Sequence, residues 1–371
     1  DSVAPDEELY LGDAARVKAA AGAITLRAGD RLTAEAGSVI DAASTVTIVG
    51  DYGSVDLGTG AVITLFGTIE AGSVSIAGGS DEDVVSITNV GSPTTIETGN
   101  DEDIIRVGSE ATEDSNTGGV MDHFRALLTI LGGGGGSDRL EIDDSGDTRA
   151  NNGTLTSGAV TGLGMSGLIA YEGIEDLQMT LGSAADSFIV ESTQSGTTAT
   201  IDTGAGDDTV HLRGSDDTVN AISGSLVILG AGGTNNVLHV IDANDADSNV
   251  GTLSDDEVTG LGMAGTVQYG DIAELRVELG SGSNTITATG TSAITQIVGS
   301  AGDDVLEVEA DLSHIEQPRL FKGGPTGTDK LRVESDVARE LVLDKASDAR
   351  GVITGAGFQG EIAFEDVEEL T

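Results

Sequence analysis

Short runs in which apolar and polar residues alternate recur along the chain, each introduced by a polar turn residue. They read Asp83-VVSI, Asp103-IIRV, Asp138-RLEI, Asp186-SFIV, Asp208-TVHL, Asn236-VLHV, Asn284-TITA, Asp304-VLEV and Asp329-KLRV. A period of two predicts short half-buried β-strands, and the Gly, Ser, Asp and Asn clusters between them predict turns. The shortest intervals, 83 to 103 and 284 to 304, are 20 residues, about one circuit of a parallel β-helix. From Gly22 to Gly79 the strands are similar, but Gly and Ser replace Asp at the corners. The first 20 residues, with PDEELYLGDAARVKAAA, are expected to form a short amphipathic helix that caps the first rung, or an irregular entry.

A longer period lies over the short one. LTILGGGGGSDRL from Leu128 returns 98 residues later as LVILGAGGTNNVL from Leu226, and more weakly as RLFKGGPTGTDKL from Arg319. Each leads into a second block, VTGLGMSG from Val160, VTGLGMAG from Val258 and ITGAGFQG from Ile353. A third block follows, IAYEGIEDL from Ile169, VQYGDIAEL from Val267 and IAFEDVEEL from Ile362. Three blocks in one order define a repeat architecture. The expected organisation is a leading segment 1–20, a Gly-rich solenoid 21–127, long repeats 128–225 and 226–318, and a truncated repeat 319–371. The predicted fold is all-β: one elongated right-handed parallel β-helix, or β-solenoid, of short strands and Gly/Asp-rich turns. No single turn buries its apolar face alone, so stacking must supply the core.

Composition narrows the function. With 6 Phe, 4 Tyr and no Trp, the core must be aliphatic. A hydrophobic fraction of 38% excludes a disordered tail. The 63 Asp and Glu against 17 Lys and Arg give a formal net charge of −46, which excludes nucleic acid as a partner. The sequence holds no apolar run long enough to span a membrane, so no membrane insertion is expected. Without Cys there is neither a disulfide framework nor a thiolate metal site. The chain starts at Asp1 and stops at Thr371 where another rung would begin, so a fragment of something longer is expected.

The acidic turns are the candidate chemistry. Asp81 and Asp83, Asp101 and Asp103, Asp207 and Asp208, and Asp303 and Asp304 form paired carboxylates in Gly-rich turns. Two carboxylates one rung apart, at ~4.8 Å, repel by ~3.5 kcal/mol at an effective dielectric of 20. A hard divalent cation with oxygen ligands reverses that sign, so calcium (Ca²⁺) is expected at one or more of these corners. A solvated turn, with Asp satisfying local backbone groups, is the alternative. A second cluster holds Asp144 and Asp147 in IDDSGDTRANNG, and Asp242 and Asp245 in IDANDADSNVG. Its run Asp245-x-Asp247-x-Asn249 is like the start of an EF-hand loop but has no Glu at the twelfth place.

Catalytic signatures are missing. His123, His211, His239 and His314 are scattered without ligand spacing, and GGGGGS at Gly132 lacks the Lys-Ser/Thr pair of a phosphate loop. Paired Asp could imitate inverting carboxylates, yet they recur as a period, whereas an active site is normally unique. An enzyme is therefore not expected.

The segments TIETGNDEDIIRV, GAGDDTVHL, GTIEAGSVSIAGG and the TGLGM-x-G-x₃-Y blocks at Tyr171 and Tyr269 resemble RTX-type and haemagglutinin-like proteins. These are very large repetitive extracellular proteins of Gram-negative bacteria. GAGDDTV keeps Gly204, Gly206, Asp208 and Val210 of the RTX nonapeptide, although here the motif stands singly and not in tandem. The resemblance implies export, calcium, an extracellular or cell-surface location, and a structural or adhesive role in a surface fibre or biofilm matrix. The expected partners are further copies of the chain, or host and surface glycans. A β-helical polysaccharide-active enzyme and a haloadapted surface-layer protein without specific calcium sites are the alternative readings.

Overall fold

The computed structural model describes residues 8–53, 60–308, 319–334, 341–347, 350–355 and 361–371. Among them every regular element is a β-strand. The amphipathic helix does not form in the described part of the leading segment. Glu8–Leu11 and Arg16–Ala19 are strands, pairing in parallel with Arg31–Ala34 and Val39–Ala42. ELYL and RVKA alternate between exposed and half-buried positions. That alternation, completed by the neighbouring rung, outweighs the helix propensity of the Ala-rich run.

Contacts divide the chain into two units. The first comprises Asp1–Thr154, Gly158–Ala184 and Thr197–Asp202, and the second Leu155–Ser157, Ala185–Gly196 and Thr203–Thr371. In the first unit one sheet stacks Glu8–Leu11, Arg31–Ala34, Val62–Leu65, Val84–Ile87, Ile104–Val107, Arg139–Asp143 and Asp176–Thr180, all parallel. A second runs from Ile24–Arg27 through Thr45–Val49, Ser73–Ala77, Thr94–Asp101 and Leu127–Gly135 to Leu168–Glu172. A third sheet is short, Arg16–Ala19, Val39–Ala42 and Thr68–Glu70. Register lines up Leu32, Ile63, Val85, Ile105, Leu140 and Leu177, each 0% exposed, so one aliphatic file fills the interior. Burying each such side chain stabilises by roughly 1.5–3 kcal/mol.

The second unit is built the same way. One sheet stacks Ser187–Val190, Thr209–Leu212, Val237–Ile241, Glu274–Glu278, Ile294–Val298, Arg319–Lys322 and Ile362–Glu365. The other pairs Ser225–Leu229 with Val267–Gly270, and Val250–Leu253 with Thr285–Ala288, Val305–Val308, Lys330–Val333 and Glu369–Leu370. The chain is thus a parallel β-solenoid within each unit, as the period predicts. Each long repeat adds one antiparallel flap: Ala159–Gly162 on Leu168–Glu172, Glu257–Gly260 between Val250–Leu253 and Val267–Gly270, and Arg350–Gly355 between Leu341–Ser347 and Ile362–Glu365.

Candidate functional site

The turn aspartates are divided between two jobs. The second residue of each pair points inward: Asp83, Asp103, Asp208 and Asp304 are all 0–1% exposed. Its Oδ1 accepts the backbone N–H at the matching place one rung earlier. In the first unit Ala61 donates to Asp83 (2.6 Å), Asp83 to Asp103 (2.8 Å) and Asp103 to Asp138 (3.0 Å). Asp138 then donates to Glu175 Oε2 (3.0 Å). In the second unit Asp186 donates to Asp208 and Asp208 to Asn236, both at 2.8 Å. A further series there runs Asn249 to Asn284, Asn284 to Asp304, Asp304 to Asp329 and Asp329 to Glu368 Oε2, at 2.8–3.0 Å. Each ladder carboxylate therefore satisfies a corner N–H that strand pairing leaves over.

The first residue of each pair stays outside. Asp101, Asp207 and Asp303 are exposed and Asp81 half-buried. Asp207 accepts from the N–H groups of Thr234 and Asn235, and Asp303 from that of Thr328, so they also tie one turn to the next. Asp101 adopts φ 70°. The paired carboxylates diverge and do not close around one ion. Among the described residues no group of three or more carboxylates and imidazoles converges on a metal position.

The second acidic cluster is different. Asp144 and Asp147, 0% and 3% exposed, both accept from Asn151 Nδ2, at 3.2 and 2.9 Å. In the next repeat Asp242 and Asp245, 0% and 5% exposed, share Asn249 Nδ2, at 3.5 and 2.8 Å. Asn220 also donates to Asp245 Oδ2, at 3.1 Å. Burial raises Asp242 to about 7, whereas the amides and backbone N–H groups around Asp245 hold it below the ordinary carboxylate range. The two copies differ in charge at two positions. In the first, Arg149 bridges Asp147 and Asp122. In the second, the residue 98 positions on is Asp247, and Asn220 stands where Asp122 was. The first copy carries its own cation; the second has another carboxylate in its place.

Sequence spacing did not reveal the pairing of His211 with His239. They face each other across adjacent rungs, ring centroids 5.5 Å apart, and His239 Nε2 lies 2.9 Å from Glu278 Oε1. Burial, and then the neighbouring His239, Arg213 and Arg276, hold His211 below the ordinary imidazole range. The 28-residue interval between them, one rung with a longer turn, was the available signal. His123 lines a separate open cavity of about 650 Å³ in the first unit with Phe66, Thr68, Asn89, Glu110 and Arg125. His314 and the end of the third TGLGM-like block, 356–360, lie outside the described residues.

No known protein family matches this chain, and no curated protein is similar to it.

Proposed function

We propose that the chain is a structural and adhesive β-solenoid segment of a large secreted bacterial surface protein, serving in a cell-surface fibre, biofilm matrix or adhesion. The observation that carries this reading is the ladder, in which three series of corners each donate a backbone N–H to a side chain of the next rung. Acidic and glycine residues recur at the same corner of rung after rung, which suits a stiff spacer better than one catalytic centre. Pulling the chain between its ends in a force spectrometer tests it. Stepwise rupture in increments of one or two rungs is expected; extension without resistance would refute a mechanical role.

Calcium, in this reading, belongs to the loop of the second long repeat, held by Asp242, Asp245, Asn249 and Asn220. Two buried carboxylates and two amides there lack the guanidinium that the sister loop supplies. Bound calcium would add positive charge at a loop carrying three aspartates. Millimolar Ca²⁺ should raise the melting temperature, and Asp247→Arg, which transplants the first repeat's cation, should abolish that rise. An equal rise with sodium at matched ionic strength would instead favour a haloadapted protein without specific sites. Adhesion to glycan is assigned to the cavity beside Arg125. In that cavity Phe66 offers an apolar wall, while Thr68 and Asn89 offer polar groups. Beads carrying the chain should adhere to acidic-glycan surfaces, and Arg125→Gln should weaken this about tenfold. Cleavage of those glycans by the chain would favour the enzyme reading instead.

A further inference from the structure

We infer that five inner ladder aspartates, Asp83, Asp103, Asp138, Asp208 and Asp304, are neutral carboxylic acids, each holding a proton on Oδ2 and standing in for asparagine. The ladder contains its own reference residues. At Asn236 the side-chain oxygen accepts the N–H of Asp208, while Nδ2 donates to the carbonyl of Gly230 at 2.7 Å. At Asn284 the oxygen accepts from Asn249, while Nδ2 donates to the carbonyls of Gly280 and Gly282 at 3.1 and 2.9 Å. These two positions thus take one acceptor and one donor, whereas at Asp329, further along the same series, Oδ2 accepts the N–H of Gly324 at 2.8 Å, which sets that residue apart. Asp83, Asp103, Asp138, Asp208 and Asp304 supply the acceptor through Oδ1. Their Oδ2 atoms are buried and have no hydrogen-bond partner.

Those oxygens lie where the asparagine amide lies. A Cβ at Gly230 would stand 2.6 Å from Asn236 Nδ2. Equivalent Cβ atoms at Gly78, Gly132 and Gly299 would stand 2.0, 2.9 and 2.5 Å from Oδ2 of Asp83, Asp138 and Asp304. An ionised carboxylate would place a bare, buried oxygen at a donor position; a carboxylic acid places an O–H there. The charges facing these groups are all negative. Asp83 faces Asp103, Asp51 and Asp81; Asp103 faces Asp138 and Asp101; Asp138 faces Glu175 and Glu102; Asp208 faces Asp186 and Asp207; and Asp304 faces Asp303. The guanidiniums that follow in sequence, Arg106 and Arg139, are committed to Glu141 and Asp176. Burial outweighs the hydrogen bonds that these carboxyls accept and, with a smaller push from the neighbouring charges, raises Asp83 to about 7 and Asp103 to about 6, and raises the other three as well. The proton comes from solvent. What neutralises these corners is H⁺ and not a metal, which goes beyond the scaffold role and stands whether or not the chain is an adhesin.

The test is a pH titration of the protein with ¹³C-labelled Asp carboxyls, the ladder signals being identified by their loss in Asp83→Asn and Asp103→Asn. Those signals should remain in the protonated form to pH about 6–7, while Asp207, held down by the hydrogen bonds it accepts from Asn235 and Thr234, should titrate below the ordinary carboxylate range. Ladder midpoints below 5 would overturn the inference. Thermal melts give a second reading. Asp83→Asn should melt at pH 8 no lower than the unsubstituted chain and should show a smaller loss between pH 5 and 8. A melting temperature for Asp83→Asn well below that of the unsubstituted chain at pH 8 would show that the charge is required. A calcium-induced rise lost in Asp83→Asn would show that Oδ2 holds a cation, and either result sinks the proposal.

Discussion

Gly78 has no side chain because Asp83 occupies the space that one would need. A Cβ there would meet Asp83 Oδ2 at 2.0 Å and the Thr98 carbonyl at 3.0 Å, whereas at Gly91 it would meet nothing within 4 Å. Gly78→Ala should therefore destabilise by about 1–3 kcal/mol and Gly91→Ala hardly at all, measured by urea unfolding. Arg319 is the opposite case, a side chain where the fold has no use for its charge. It is 2% exposed, all three guanidinium nitrogens lack hydrogen bonds, and burial lowers it to about 10. The matching residue of the preceding repeat is Leu226, 0% exposed. Arg319→Leu should raise stability by roughly 1–4 kcal/mol, read from the same unfolding curves. At this scale the sequence was partly legible. It marked which turns hold paired Asp, because composition and spacing are local. It did not show that the partners of each pair separate, because that depends on which oxygen meets the neighbouring rung's N–H.

Strands and their ends carry the next level. The ladder of the first unit ends on Glu175 and one series of the second on Glu368, each accepting the last aspartate's N–H. The equivalent residue of the middle repeat is Ala273, whose own N–H donates to the Asn236 carbonyl as those of Glu368 and Glu175 do to Asp329 and Asp138. Glu175→Ala should cost about 1–3 kcal/mol because it strips a buried N–H of its acceptor, and Ala273→Glu should stabilise the middle repeat. Hydrogen exchange at Asp138 and Asn236 would register both, as faster and slower exchange respectively. Strand positions were legible from alternation alone. The parity of the repeat was not. Between Ser225–Leu229 and Arg319–Lys322 the chain passes from sheet to sheet at Val237–Ile241, Val250–Leu253, Glu274–Glu278, Thr285–Ala288, Ile294–Val298 and Val305–Val308. The same opening block therefore lies in one sheet in the second repeat and in the other sheet in the third. The structural unit is one turn and one strand, and an odd number of them makes the long repeat. Sequence similarity identifies the block but cannot say on which side it falls.

The net charge of −46 treats every carboxylate as ionised, and the ladder changes that count where it matters most. Asp83 and Asp103 titrate at about 7 and about 6 in the folded chain against an ordinary 3.8. Between roughly pH 4 and 7 the folded chain thus holds more protons than the unfolded one, so stability falls as pH rises. Their contribution is complete below about pH 4 and gone above the folded values. Exposed carboxylates act in the same direction by mutual repulsion, but they are reached by salt and the buried ladder is not. Raising salt from about 0.1 M to about 1 M shortens the screening length from ~10 Å to ~3 Å. Melting temperatures at pH 5 and pH 8, each at both salt levels, separate the two effects. Salt should raise the value at pH 8 yet leave a clear gap to pH 5, and that gap should narrow in Asp83→Asn. If salt closed the gap entirely, diffuse surface charge would account for the pH dependence and the buried corners would contribute nothing to it.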